Sequence, residues 1–309
     1  MSCVAPLARI RDSGSNYFIV QGCLQLSEMP GDPKTHHFIP EFYSKQWAHN
    51  GTIYSVRNVR ERLYWRYYAP ESIGAQLYLY GYDAEFKLRR RSQVEIDFFV
   101  SLDTRASQVL PKFFERQALS PTDRRNWAEF LLSMRLRTPE EIAKIKETGR
   151  LVLRKSSDEL QSRYQEIRED WQPESLYDTA VGNIPGLSSS YGLTVLPSII
   201  SNSRFVQSIL SWDWQIIRFE RIRILFSDRP YISTAGLADP KCMIILPLSP
   251  TSIFLASPTG SWLPIPPDKH HKFGQQINRM VIRNAKQFAY SQFKYDAPAS
   301  FFMKYLARS

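Results

Sequence analysis

The strand-like stretches of this chain come in neighbouring pairs with no helical stretch between the members of a pair. Residues 52–57 and 62–69 form one such pair, and residues 214–219, 223–226, 243–247 and 252–256 follow each other near the end. A parallel crossover needs roughly a dozen or more connecting residues, usually a helix. The spacing therefore predicts antiparallel pairing and argues against Rossmann and barrel folds. Between the two strand groups the apolar residues recur at helical spacing. The expected fold class is α+β: an antiparallel sheet with a helical middle segment and a closing C-terminal helix.

The helical signals are specific enough to place. Val94, Phe98, Leu102, Val109, Leu110 and Phe113 mark one stripe over residues 93–118, strained by Pro111. Ser120-Pro121-Thr122-Asp123 starts a second helix, since Pro suits the first helical turn. It should end near Arg137, because Thr138 precedes Pro139. A charged third helix is expected over residues 139–170. Residues 172–198 read as loop, with Pro173, Gly182, Pro185, Gly186 and consecutive serines, before a short helix at 199–210. Residues 269–290 read as the closing helix, with Phe273, Ile277, Val281, Ala285 and Phe288 facing inward. Residues 1–34 carry turn chemistry and are expected to be a loosely ordered N-terminal extension, with Met29 offering a later start. Residues 35–309 are expected to be a single α+β domain.

With 43% hydrophobic and 23% charged residues, the 309-residue chain can build an ordinary core. No stretch is long and apolar enough to span a bilayer, and Arg9, Arg11 and Asp12 interrupt any signal-peptide core. Three cysteines without a Cys-x-x-Cys pair fit a reducing compartment. The expected location is cytoplasmic, without a membrane partner. There is no glycine-rich phosphate loop. The formal net charge of +10 favours anionic partners, RNA or DNA among them.

The densest motif is His36-His37-Phe38-Ile39-Pro40-Glu41-Phe42-Tyr43. On a strand one histidine points inward and the other outward. Either can act as a base, a metal ligand or a phosphate contact. The plainer reading is aromatic packing with one imidazole capping a backbone group. Asp228 follows an apolar strand end and precedes Arg229-Pro230. That is a place for a site residue, and equally for a turn former. Glu95 and Asp103 lie about two turns apart on one half of a helix, and Arg137 can pair with either. Such acid–arginine pairs are more often struts than catalytic groups. Arg57, Arg60, Arg62 and Arg66, interleaved with Tyr54, Tyr64, Trp65, Tyr67 and Tyr68, suit single-stranded nucleic acid. The competing reading is a sheet with one packed and one solvated face. His270-His271 reads as a polar helix start.

In order and approximate spacing these motifs resemble the domain-of-unknown-function 4238 family of bacterial proteins. The resemblance runs from His36 through Tyr43, Glu95, Asp103 and Arg137-Thr138-Pro139 to Phe226-Ser227-Asp228-Arg229-Pro230, Pro247-Leu248-Ser249-Pro250 and Ile277-Asn278. Two positions depart from it. Asp103 stands where the family usually has glutamate, and Ser44 where it has an aliphatic residue; the shorter carboxylate weakens a metal role at Asp103. What the resemblance implies is an intracellular, mostly microbial protein whose polar residues converge from distant segments.

Three functions are compatible with these residues. The first is a metal-dependent nuclease or phosphodiesterase acting on nucleic acid, in an antiviral-defence setting suggested by family type. His36 or His37 would be base or ligand, and Glu95, Asp103 and Asp228 would hold a divalent metal such as Mg or Mn. Arg137 would contact phosphate. The second is a non-catalytic nucleic-acid-binding module using Arg60, Arg62, Arg66, Tyr64 and Tyr68. The third is a protein-interaction module docking an acidic partner. An open cluster of the polar residues favours the first, a sealed or scattered one the others.

Overall fold

In the computed structural model, which describes residues 32–201, 204–260 and 265–306, antiparallel pairing joins the two ends of the chain. The strands are Thr35–His37 (β1), Ile53–Val59 (β2), Arg62–Tyr68 (β3), Ala75–Leu77 (β4), Asp213–Arg218 (β5), Phe226–Ser227 (β6), Ile232–Ser233 (β7), Ile244–Ser249 (β8), Ser252–Ser257 (β9) and Phe288–Ser291 (β10). They form a two-stranded sheet β1-β4 and two four-stranded sheets, β3-β2-β10-β6 and β5-β9-β8-β7. Every pairing among them is antiparallel, so the fold is α+β. The expectations for the N-terminal extension before Asp32, including Met29, lie outside the described residues.

The helices are Glu41–Ser44 (α1), Val100–Glu115 (α2), Pro121–Leu136 (α3), Pro139–Glu159 (α4), Gln161–Ile167 (α5), Leu176–Asn183 (α6), Leu187–Ser201 (α7), Arg204–Ser211 (α8), His270–Asn284 (α9) and Ala299–Tyr305 (α10). A π-helical turn, Val94–Phe99, leads into α2. The start of α3 is as the sequence predicts: Ser120 and Asp123 exchange hydrogen bonds in a capping box, with Pro121 in the first turn. Arg137 caps its end, ahead of the Thr138-Pro139 step.

Burial follows position in the sheet. The central strand β2 is buried at most positions, whereas edge strand β3 alternates from Arg62 to Arg66. Leu63 and Trp65 pack inward, Trp65 edge-on to Phe302 of α10 at 5.3 Å. Arg62, Tyr64 and Arg66 face water. Arg60 and Glu61 close this hairpin with φ of 47° and 65°. Both central residues of a twist-matched two-residue hairpin turn need positive φ.

Four expectations need correction. The charged helix stops at Glu159, and α5 restarts after Leu160 instead of running on to residue 170. Residues 172–198 are largely helical, as α6 and α7, and the helix expected at 199–210 is the end of α7 followed by α8. Gly192 and Ser190 are breakers by residue type, yet both are buried on α7. A Cβ on Gly149 of α4 would come within 2.4 Å of the Gly192 backbone, so the small residues permit a close helix crossing. The closing helix α9 ends at Asn284, and Phe288 belongs to β10, beyond which α10 follows. The strand expected at 223–226 is reduced to Phe226–Ser227.

Candidate functional site: a sealed charged node beside an open aromatic cleft

Helix geometry and chain reversals bring five of the singled-out residues around Tyr80. The π turn carries Glu95, α2 carries Asp103, the end of α3 carries Arg137, and β1 carries His36 and His37. The Tyr80 hydroxyl reaches the carbonyls of His37 (3.2 Å) and Arg137 (3.1 Å). Arg137 is fully buried. Its guanidinium donates to both oxygens of Asp103, at 3.0 and 2.6 Å, and to Ser133 Oγ at 2.7 Å. Its charge lies 4.9 Å from the ring centre of Phe99. Arg137 Nε and Glu95 Oε2 are buried without a hydrogen-bond partner among the described residues.

Burial pushes the Glu95 carboxyl up to about 7, while neighbouring Arg137 and the His37 backbone N–H pull it down. His36 is wholly buried and stacks on Tyr80 at 5.5 Å. Its Nδ1 accepts the Tyr80 backbone N–H at 3.0 Å, so the ring proton sits on Nε2, facing Pro33 O and Ser92 Oγ, each at 3.2 Å. Burial lowers this imidazole to about 4. His36 is therefore a neutral backbone cap, not a free base. His37 points outward, its Nε2 2.9 Å from Glu71 O.

Asp228 stands apart from this node. Its carboxylate accepts three backbone N–H groups, from Lys286 (2.8 Å), Gln287 (2.7 Å) and Phe288 (3.0 Å). Burial raises its pKa although those three donors act the other way. The expected metal set of Glu95, Asp103 and Asp228 does not form. Asp103 gives both oxygens to Arg137, Asp228 gives its oxygens to amides, and no cluster of three or more potential metal-ligating side chains occurs among the described residues. A divalent cation such as Mg or Mn does not fit these donors.

An open cleft of 470 Å³ lies next to Asp228. Phe38, Tyr68, Phe288 and Tyr290 give it aromatic walls, and Pro139 and Gly74 complete them. Arg229 at its side is held by Glu140 at 2.8 Å. Lys286 and Gln287 stand at the loop that Asp228 ties down.

Sheet register links this cleft to the basic-aromatic strand. Residues directly opposite in an antiparallel pair share a face. Tyr64 lies opposite Arg57, which lies opposite Phe288; Arg66 lies opposite Ser55, which lies opposite Tyr290. Tyr64, Arg66 and the cleft walls Phe288, Tyr290 and Tyr68 are thus on one face. Tyr64 is 53% exposed, and Arg57 sits 5.4 Å from the Phe288 ring centre. Arg60 lies in the turn, and Tyr68 is half-buried against the core. On the opposite face, Tyr67 is 63% exposed and Tyr54 stacks on Trp65. His270 and His271 lie elsewhere, with His270 Nε2 3.0 Å from Ile265 O.

Sequence reasoning does not single out Tyr80, Lys286, Gln287, Phe288 or Tyr290. The last four fall inside an expected helix, although Phe288-Ala289-Tyr290-Ser291 alternates with the period of a strand.

The family model described as "Protein of unknown function (DUF4238)" matches residues 35–294. No curated protein and no solved structure matches the chain. Among the described residues no helix is long and apolar enough to cross a membrane.

Proposed function

This chain belongs to the DUF4238 family, and from that premise we propose that it is a nucleic-acid-binding module that holds a single strand along the outer face of β3. The observation that carries the reading is the shared face: Arg62, Tyr64 and Arg66 stand exposed in alternation and run, by register, into the aromatic cleft. Arginines at such spacing follow phosphates while rings stack on bases. The charge of +10 adds a favourable long-range field.

Binding is favoured over nuclease or phosphodiesterase chemistry by how the polar groups are committed. Arg137 is sealed, Asp103 and Asp228 are engaged, and the His36 imidazole is a backbone cap. The antiviral-defence setting and an acidic protein partner draw on no residue of this geometry.

The test is fluorescence anisotropy with short labelled RNA and DNA strands over a salt series, beside the Arg62→Ala, Arg66→Ala double variant. Binding by the native chain that weakens with salt and with the double variant is expected. Equal affinity in the variant sinks the reading. The same strands incubated with Mg²⁺ or Mn²⁺ should remain uncut; specific cleavage that survives purification would return the enzyme.

A further inference from the structure

We infer that the cleft walled by Phe38, Tyr68, Phe288 and Tyr290 takes one unstacked nucleobase of the bound strand; this rests on the binding function proposed above. The walls offer rings from three segments, with Phe288 and Tyr290 within 13° of parallel. A flat base finds stacking partners there, which is how unpaired bases are commonly held. At 470 Å³ the cleft lies in the range of small-molecule sites, roughly 300–1,000 Å³.

The polar groups favour a base over a phosphate inside. Ser72, Gln76 and Gln287 are among the residues lining the cleft, and their side chains are not engaged in the hydrogen bonds found among the described residues. A glutamine amide presents one acceptor and two donors, the groups that a base edge complements. Asp228 and Glu140 line the cleft together with Arg229 and Lys286, and Glu140 holds Arg229 at 2.8 Å, so the lining carries no formal excess of positive charge to draw a phosphate inside. Lys286, exposed and part of the same lining, is a cation that can meet the strand's phosphate. Asp228 acts as a positioning residue, because its three amide hydrogen bonds fix the loop that presents Lys286 and Gln287.

The experiment compares a short abasic deoxyribose-phosphate strand with the same strand carrying one adenine. The single base should raise affinity for the native protein roughly tenfold. Phe288→Ala should remove most of that gain, and Gln287→Ala, which keeps the backbone amide, should reduce it. Tyr67→Ala, on the opposite face of β3, should leave the gain intact. Loss of the gain in Tyr64→Ala but not in Phe288→Ala or Gln287→Ala places the base outside the cleft. It overturns the inference while leaving strand binding standing. The same holds if the native protein shows no gain from the base. If neither strand binds, nor ordinary RNA or DNA, both the inference and the function beneath it fall.

Discussion

Arg137 and Asp103 face each other through two parallel hydrogen bonds of 3.0 and 2.6 Å, sealed at one end and open at the other: the arginine side chain is 0% exposed and the aspartate 21%. This asymmetry sets which substitution does more harm. Asp103→Ala strands a charge in the interior, and should cost about 3–5 kcal/mol. Arg137→Met removes the buried charge and leaves an aspartate that can turn to water, so it should cost less. Urea unfolding of the two variants measures the order, and a larger loss in Arg137→Met contradicts it.

Stability should respond to pH through two opposed groups in this node. The fold favours protonated Glu95, whose pKa rises from 4.5 to about 7. Its contribution is full below 4.5 and is lost as pH rises through 7. The fold favours neutral His36, whose pKa falls from 6.5 to about 4, so its contribution is full above 6.5 and is lost as pH falls through 4. The two trends oppose each other in the window they share. The two shifts are similar in size, so the native protein should change little across that window, and Glu95→Gln should uncover a rise in stability with pH on the order of 3 kcal/mol from His36. Unfolding midpoints in parallel buffers test this; a variant whose pH profile matches that of the native protein excludes Glu95 as a source.

Asp228→Asn keeps one acceptor oxygen for three amides that the carboxylate now shares between two. About 1–3 kcal/mol of stability should be lost, with faster amide exchange at Lys286, Gln287 and Phe288. Unchanged exchange there would show that the loop does not depend on the carboxylate.

Gly192→Ala places a Cβ 2.2 Å from the Ile145 carbonyl oxygen, a backbone atom that cannot swing aside. Helices α4 and α7 must separate, at a cost of about 1–3 kcal/mol. Hydrogen exchange should quicken over Pro139–Glu159 in this variant. If protection is retained throughout, the crossing is looser than its geometry indicates.

The Arg62→Ala, Arg66→Ala variant should also flatten the salt dependence of single-strand binding, by about 0.7 in the log–log slope for each phosphate that is no longer neutralised. A weaker affinity with an unchanged slope would assign these arginines a structural task instead.

Local chemistry made much of the frame readable. The capping box at Ser120 and the Thr138-Pro139 step place the ends of α3, because caps and prolines act within a turn of themselves. The alternation of Arg62 through Arg66 marks an edge strand, because only one with a solvated face keeps a period of two. The consecutive serines, Ser190 among them, mislead for the opposite reason. Breaker residues argue for a loop unless a second helix needs their small size, and that second helix, α4, lies more than thirty positions away in the sequence.

The sequence by itself determined the α+β class, the antiparallel pairing and which polar residues stood as candidates for a site. Tertiary structure alone decided their fates. Glu95 and Arg137 are sealed because Tyr80, Phe99 and β1 close over them, and Asp228 is engaged because the loop before β10 brings three amides to it. Arg66 remains in water because it lies on the face of β3 that it shares with exposed Arg62 and Tyr64, opposite the face packed by Leu63 and Trp65. Exposure depends on packing between segments far apart in the chain, and no local pattern of residue types carries that information.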